Sequence, residues 1–374
     1  MHIVIIPNGL QKDYIVNLVN NLVNIADKLD VIGSDMFSEN DFSHKVRYYN
    51  MRGSHDEKSS VIEKVRRFLK YYFTLYRFLL KEKPDCIHIQ WIRFSFLDGI
   101  LFHLLLRLSG QKLVYTAHDI VPHDRETLVN KALFYFVYRI SHQIVVHTEY
   151  LKNRIIKEFK ISGKRVHVIH HGVYDIKEYY TRDFAREKLG IQSTDHLFLF
   201  FGNIRRYKGL HLLLEAYSEL SDKHEGLSLA IAGKIWEPYR EECLQLLSGY
   251  DNYKIIKKLG FIPEEELSYY FYSSNVVVLP YLEASQSGVM FMAYAHGIPV
   301  IVPDLGGFAN DVVPGKTGLL FKPGDVRSLY NVMERSIREF NPERFDNGIV
   351  KKFADNHYSW AATAEALNKL YANM

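Results

Sequence analysis

The sequence predicts an α/β protein of two Rossmann-like domains, each built on a doubly wound parallel sheet. Three observations carry this expectation. Short β-branched and apolar runs alternate with longer helical patterns along almost the whole chain, and near-continuous apolar strands of that kind belong to parallel sheets covered on both faces. The alternation stops in the charged stretch from Tyr174 to Asp195 and then starts again. A length of 374 residues exceeds what one core ordinarily organises but suits two domains of common size. The expected boundaries are 1–175 for the first domain and 185–350 for the second.

Taken in order, HIVIIP reads as a strand, Leu10 to Leu29 as a helix, DVIG as a strand and Ser59 to Lys83 as a basic helix. The strand CIHIQ follows, then a helix from Leu97, the strand KLVYTAHD, a helix from Arg125, the strand QIVVHT, a helix from Tyr150 and the strand RVHVIHHG. Beyond the charged stretch, HLFLFFGNI, LSLAIAGK, YKIIKKLGF, NVVVLPYL and PVIVPDL read as strands with helices between them. The closing HYSWAATAEALNKLYANM is helical in pattern and has no strand partner, so 357–374 is expected to pack back across a domain surface. In open parallel sheets, ligands gather at the carboxyl ends of the strands. The loops of interest therefore leave the strands at Gly9, Gln90, His118, His147, Gly202, Gly233, Pro280 and Pro303.

Composition narrows the class. Apolar residues make up 47% and charged residues 24%, as in an average globular protein. A net charge of +4 is small for this length and argues against a nucleic-acid binder. Cys86 and Cys243 form no C-x-x-C pair, which speaks against a disulfide framework or a cysteine-built zinc site and fits a reducing cytoplasm. MHIVIIPNG lacks the parts of a signal peptide. The most apolar region, Phe94 to Leu108, is interrupted by Asp98 and His103, so no membrane span is expected. Neither an H-E-x-x-H nor a D-x-D motif occurs, and no metal site is expected.

Two segments carry chemistry. FGNIRRYKGL, Phe201 to Leu210, sets Arg205, Arg206 and Lys208 between a buried strand and a helix, with glycines that allow close backbone approach. Such a loop suits a diphosphate; a solvated basic turn is the plainer alternative. In YLEASQSGVMFMAYAHGIPVIVPDLGG, an apolar strand passes through Glu283 and a small polar loop containing Ser285, Ser287 and Gly288 into a helix. Free N–H groups and the positive end of the helix dipole make a second anion site there, or only a capped helix.

Together the two segments resemble the family 4 glycosyltransferases of the GT-B architecture. The family's G-R-x-x-x-x-K-G loop is similar to GNIRRYKG, Gly202 to Gly209, and its E-x7-E segment followed by small-G-x-P-V is similar to Glu283 to Val300. Asp304 to Asp325 resembles the family's G-G-x-x-E-x-V-x-x-G-x-T-G run, and TAHD, VVHTEYLKNRI, VIHHGVYD and the final HYSW helix agree more loosely. The resemblance covers nearly the whole chain. It implies an N-terminal acceptor domain, a C-terminal nucleotide-sugar domain, a cleft between them, and a final helix that crosses back to the first domain.

Carried over residue by residue, the resemblance implies that Lys208 contacts the donor diphosphate with Arg205, and that Glu283 binds the transferred sugar. It further implies a phosphate and nucleotide cradle from Gly9, Gly202, Asn203, Gly233, Lys234, Ser285, Ser287, Gly288 and Val289. His118 is similar to the family's histidine that faces the donor sugar; Asp119, His123 and Asp124 are either acceptor-side groups or polar capping residues. The sequence departs from the pattern in four places. Asn203 stands at the usual arginine position, Phe291 or Met292 at the ribose-binding glutamate, Asn310 or Asp311 at the acidic residue after the paired glycines, and Asn8 and Gly9 at the N-terminal glycine pair.

The implied reaction is retaining transfer of a hexose from a UDP- or GDP-sugar to a saccharide or lipid-linked saccharide, without cofactor or metal, in surface polysaccharide or glycan synthesis. A GT-B epimerase, a phosphorylase and a non-catalytic sugar-nucleotide-binding subunit are the alternatives. Lys58 to Lys83 carries eight basic residues against two glutamates, interleaved with aromatics. It suits either peripheral contact with an anionic membrane at the inner face of the cell membrane or a helix with a solvated basic face.

Overall fold

The computed structural model divides into two compact units, Met1–Gly172 with Tyr358–Met374, and Val173–His357. It describes the chain apart from residues 9–11, 54–60, 94–95, 122–126, 174–175, 177 and 284–286 and the side chains of 61, 62 and 64. The sequence-derived candidates Gly9, His123, Asp124 and Ser285, and the start of the basic segment, lie outside the described residues.

In the first unit the order is β1 (His2–Ile6), α1 (Lys12–Leu22), β2 (Lys28–Gly33), β3 (Val46–Asn50), α2 (Val61–Glu82) and β4 (Cys86–Ile89). A π-helical segment, Leu97–Phe102, then runs into α3 (His103–Leu108), followed by β5 (Leu113–Thr116), α4 (Leu128–Ile140), β6 (Gln143–Val146), α5 (Glu149–Phe159) and β7 (Val166–Val168). The strands form one sheet in the order β3-β2-β1-β4-β5-β6-β7, every pair parallel.

Alternate side chains of a strand face opposite sides of its sheet, and β1 shows why its apolar run is continuous. Val4 and Ile6 join a core with Leu75 and Leu79 of α2 and Val137 of α4. Ile3 and Ile5 join a second core with Leu18 and Val19 of α1.

The second unit runs α6 (Arg182–Leu189), β8 (His196–Phe201), α7 (Leu210–Ser221), β9 (Leu227–Ala232), α8 (Arg240–Ser248), β10 (Ile255–Lys258), α9 (Glu264–Ser273) and β11 (Val276–Val278). It continues through α10 (Gly288–Ala295), β12 (Val300–Pro303), α11 (Phe308–Asp311), β13 (Gly318–Phe321), α12 (Val326–Glu339) and α13 (Asn347–His357). Its parallel sheet has the order β10-β9-β8-β11-β12-β13. The last helix, α14 (Trp360–Ala372), lies in the first unit, where Leu367, Leu370 and Tyr371 complete the core on the α1 side.

Both sheets reverse direction of growth at one point, between β1 and β4 and between β8 and β11. Loops leaving neighbouring strands on either side of such a switch point diverge and leave room for a ligand.

Several sequence expectations are corrected. The first helix ends at Leu22 rather than Leu29, because Asp27 and Lys28 donate to the Met1 carbonyl and so begin β2. Two strands were passed over: β3, a half-exposed edge strand, and β13, which begins with a glycine. The charged stretch before β8 holds α6, capped by Thr181, whose hydroxyl accepts from the Phe184 amide, and closed by Gly190 in left-handed conformation.

Candidate active site

The two chemistry-bearing segments of the second unit are the exits of β8 and β11, the strands that flank its switch point. Ile204 hydrogen-bonds to the Lys234 carbonyl at 2.8 Å and Trp236 to the Ile204 carbonyl at 3.0 Å, so the exits of β8 and β9 continue as a paired ribbon. At Gly233, φ is +148°, and an added Cβ would lie 1.9 Å from the Gly202 carbonyl oxygen. On the other side, Leu282 donates to the Tyr207 carbonyl at 2.7 Å. Gly209, with φ +68°, starts α7 with its Cα against the Pro280 carbonyl, where an added Cβ would come to 1.9 Å. Only glycine allows this approach, and it fixes the basic loop onto the β11 exit.

Lys208 is the chemical centre of this arrangement. It closes a short 3₁₀ turn, and only 8% of the residue is exposed. Its Nζ lies 5.2 Å from the centroid of the Tyr281 ring, and a methyl group added at Gly202 would meet this Nζ at 3.4 Å and Val289 Cγ2 at 3.2 Å. Gly202, Lys208 and the first turn of α10 therefore converge. Burial, with Arg205 as a lesser contributor, lowers the Lys208 pKa, while Tyr207 acts in the opposite direction. Among the described residues no carboxylate pairs with this ammonium. A buried cation without a counter-charge favours an anion beside it.

The neighbours of Lys208 set its surroundings. Arg205 is half-buried, its guanidinium 5.1 Å from the Trp236 ring centroid, whereas Arg206 points outward to Glu242 at 3.2 Å. Ser287 is buried at the N-cap position of α10, and its Oγ lies 3.3 Å from the Tyr281 hydroxyl. Burial pushes the Tyr281 phenol up to about 12, against a smaller opposing effect of Ser287, so Tyr281 stays a neutral hydroxyl. Gly288 is exposed and Val289 half-buried at the start of α10, which presents free amides there. Glu283, Asn203 and Lys234 are exposed on the same strand exits.

Sequence reasoning missed Tyr281 and Trp236; the ring next to each cation is brought there by a different strand exit. Of the two residues at the expected ribose carboxylate, Phe291 is buried in the core and Met292 is half-buried, its carbonyl accepting from the His296 side chain at 2.7 Å. Asp311 is buried and Asn310 exposed in α11.

In the first unit, Asn8 follows β1 and its amide donates to the Trp91 carbonyl beyond β4 at 2.9 Å. His118, at the exit of β5, is half-buried beside Tyr14, at 5.0 Å between ring centroids, and Trp91, at 6.0 Å. Its Nδ1 lies 3.1 Å from His147 Nε2, and His147 Nδ1 lies 2.8 Å from the Ile169 carbonyl. A carbonyl only accepts, so His147 carries its proton on Nδ1 and offers the Nε2 lone pair. Neutral His118 then donates through Nδ1 and keeps an unprotonated Nε2. That atom is enclosed and makes no hydrogen bond with the described residues.

Burial holds the imidazoles neutral: His147 is pushed down to about 4, and His88 and His171 to about 3. His118 is held well below its ordinary value by burial and then by His147, His171 and His88, with the Gln90 carbonyl opposing. His118 is therefore an acceptor of hydrogen bonds near neutral pH. Asp119 is half-buried beside it.

Among the described residues, one cluster has metal-ligand composition, His2, Asp30 and Glu82. It is held by cations instead: Arg47 reaches Asp30 at 2.6 Å and Glu82 at 3.0 Å, and Lys28 reaches Glu82 at 2.6 Å.

Two parallel-sheet domains of this order place the chain in the GT-B class of α/β proteins. A family model described as glycosyl transferases group 1 matches residues 181–347, and one described as glycosyltransferase family 4 matches residues 7–175. The chain belongs to the family 4 glycosyltransferases.

It is 24% identical over 295 residues to the D-inositol 3-phosphate glycosyltransferase of Corynebacterium aurimucosum, covering 76% of this chain and 69% of that one. It is 25% identical over 280 residues to the GDP-mannose:glycolipid 4-beta-D-mannosyltransferase of Xanthomonas campestris, covering 71% of this chain and 74% of that one. Across the first curated relatives the chain spans from 46% to 69% of their own length. Among solved structures, Anabaena HepE in complex with UDP-glucose superimposes with a TM-score of 0.76 at 16% identity, covering 100% of both chains.

Proposed function

We propose that this chain is a retaining hexosyltransferase that moves a sugar from a UDP- or GDP-sugar to a saccharide or lipid-linked saccharide in surface polysaccharide or glycan synthesis. The observation that carries the proposal is Lys208, a buried ammonium without a carboxylate partner among the described residues, set beside Gly202 and the first turn of α10. When the sugar leaves, charge builds on the nucleoside diphosphate while the anomeric carbon turns cationic. Fixed positive groups at the phosphates therefore lower the barrier.

In this reading Lys208 and Arg205 hold the diphosphate, and the α10 amides with Ser287, Gly288 and Val289 complete the cradle, which extends over Gly202, Asn203, Gly233 and Lys234. Glu283 binds hydroxyls of the transferred sugar. His118, at the exit of β5, stands beside the transferred sugar. Retention follows if the acceptor hydroxyl attacks from the face that the leaving phosphate vacates, with that phosphate taking the proton, so that no protein nucleophile and no metal takes part. A relative that uses a glycolipid supports a lipid-linked acceptor and peripheral membrane contact.

The test is to incubate the purified chain with UDP- and GDP-hexoses, with and without acceptor, and follow nucleoside diphosphate release and the anomeric configuration of the product by NMR. Acceptor-stimulated release with retained configuration is expected. An inverted product removes the retaining step, and an altered donor sugar in the absence of acceptor points to an epimerase.

A further inference from the structure

In the apolar region Phe94 to Leu108, interrupted by Asp98 and His103, the described part from Phe96 buries both polar residues and leaves most of its leucines exposed. Asp98 and His103 are buried, at 3% and 1% exposure, beside Phe102 and Leu106, which anchor the segment in the core. The Arg93 amide donates to Asp98 at 3.0 Å, Tyr72 donates its hydroxyl to the same carboxylate, and the Asp98 carbonyl is 2.6 Å from His103 Nδ1. Leu97, Leu101, Leu104, Leu105 and Leu108 face outward instead, Leu108 with 78% exposure. Their spacing of four, three, one and three residues is that of one helical face.

This leucine face does not stand alone. The π-helical segment packs on α4, where a Cβ added at Gly99 would meet Val137 at 2.8 Å, and α4 exposes Leu128 at 87%, Val129 at 69% and Phe136. On its other side lies α2, through the Tyr72–Phe102 ring pair at 5.1 Å and the Tyr76–Ser109 hydroxyl pair at 2.8 Å. From α2, Val65, Leu69 and Phe73 are exposed at four-residue spacing. Solvated proteins rarely leave so many apolar side chains exposed on neighbouring helices without a partner.

The charge around the face selects the partner. Arg66, Lys70, Arg77 and Lys81 of α2, Arg107 of α3 and Arg139 of α4 are exposed among these apolar side chains. Neither 96–109 nor 128–140 contains an acidic residue apart from the buried Asp98. A second copy would set like charge against like charge, whereas an anionic bilayer accepts both the leucines and the cations. No described helix is long and apolar enough to cross a membrane.

We infer that α2, the leucine-bearing segment 96–108 and α4 form one monotopic docking face for an anionic lipid surface, with the exposed leucines entering the interface. This rests on the membrane-contact part of the proposed function and relocates its apolar anchor from α2 alone to the neighbouring leucine segment. The face gives a lipid-linked acceptor a surface on which to arrive.

The experiment is co-sedimentation of the full chain with vesicles of phosphatidylcholine, with and without 30 mol% phosphatidylglycerol as probe (roughly a biological anionic fraction). Three proteins are compared: the parent, L104S/L108S, and R66E/K70E. All three are first checked for equal melting temperature. Binding of the parent to the anionic vesicles is expected, with a loss of about tenfold or more in either variant. If L104S/L108S binds as the parent does while R66E/K70E does not, the leucine face is refuted and contact through α2 alone survives. If the parent ignores anionic vesicles, both readings fail. A parent dimer abolished by L104S/L108S, with no vesicle binding, assigns the face to self-association and overturns the inference.

Discussion

At Lys208, one side chain is asked to be costly in the empty protein and useful in the occupied one. Its buried ammonium has a lowered pKa because burial penalises the charge. Lys208→Met keeps the aliphatic stem and removes that charge. The melting temperature of this variant is therefore expected to equal or exceed that of the parent, while turnover falls by about 10² to 10³, the usual loss for one transition-state donor. A destabilised variant, or one with parental turnover, counts against the phosphate assignment.

The histidines supply a second residue-scale prediction. His147, His88 and His171 take up protons near 6.5 when unfolded but only near 4, 3 and 3 when folded. Between those values the unfolded state holds more protons, so stability is complete above about pH 6.5 and declines as the pH falls toward 4. Urea unfolding across this range is expected to show that slope. His147→Asn should reduce it by about one proton. In histidine-labelled protein, ¹⁵N shifts should place the His118 proton on Nδ1 in the parent, and lose that preference in His147→Phe.

At the scale of elements, the placement of the basic loop at a strand exit was legible because its signals are local: cations and glycines between an apolar strand and a helix. What was not legible depends on tertiary packing. Tyr281 and Trp236 belong to different strand exits and become neighbours of Lys208 and Arg205 only when β8, β9 and β11 align. Strand β3 hides because it is a half-exposed edge strand whose sequence, VRYYN, forms no apolar run, and the leucine segment misleads because Asp98 and His103 face inward. Two substitutions test the elements that hold the site. Gly209→Ala places a Cβ 1.9 Å from the Pro280 carbonyl at φ +68°. It is expected to destabilise by roughly 1–3 kcal/mol and to weaken nucleotide binding, read by thermal melts with and without UDP. Phe291→Glu restores the family's expected carboxylate in sequence only. Phe291 is 1% exposed, so an unpaired carboxylate there is expected to cost about 3 kcal/mol or more, and improved UDP affinity would contradict the structure.

On the scale of the whole molecule, the two-domain plan was readable from the repeated strand–helix alternation and the break after the first half. The membership of the last helix in the first unit followed from neither pattern nor composition, since an amphipathic helix without a strand partner suits either surface. Leu367, Leu370 and Tyr371 share a core with Ile3, Ile5 and Val19. A chain ending at His357 is expected to lose the cooperative unfolding of the first unit, seen as a missing component in calorimetry. The central claim, that the second unit grips a sugar nucleotide through Lys208, is tested most directly by thermal shift with UDP- and GDP-hexoses. The account predicts a rise on the order of 5 °C in the parent at about 100 times Kd, and little or none in Lys208→Met. No shift with any sugar nucleotide, or an equal shift in both proteins, contradicts it.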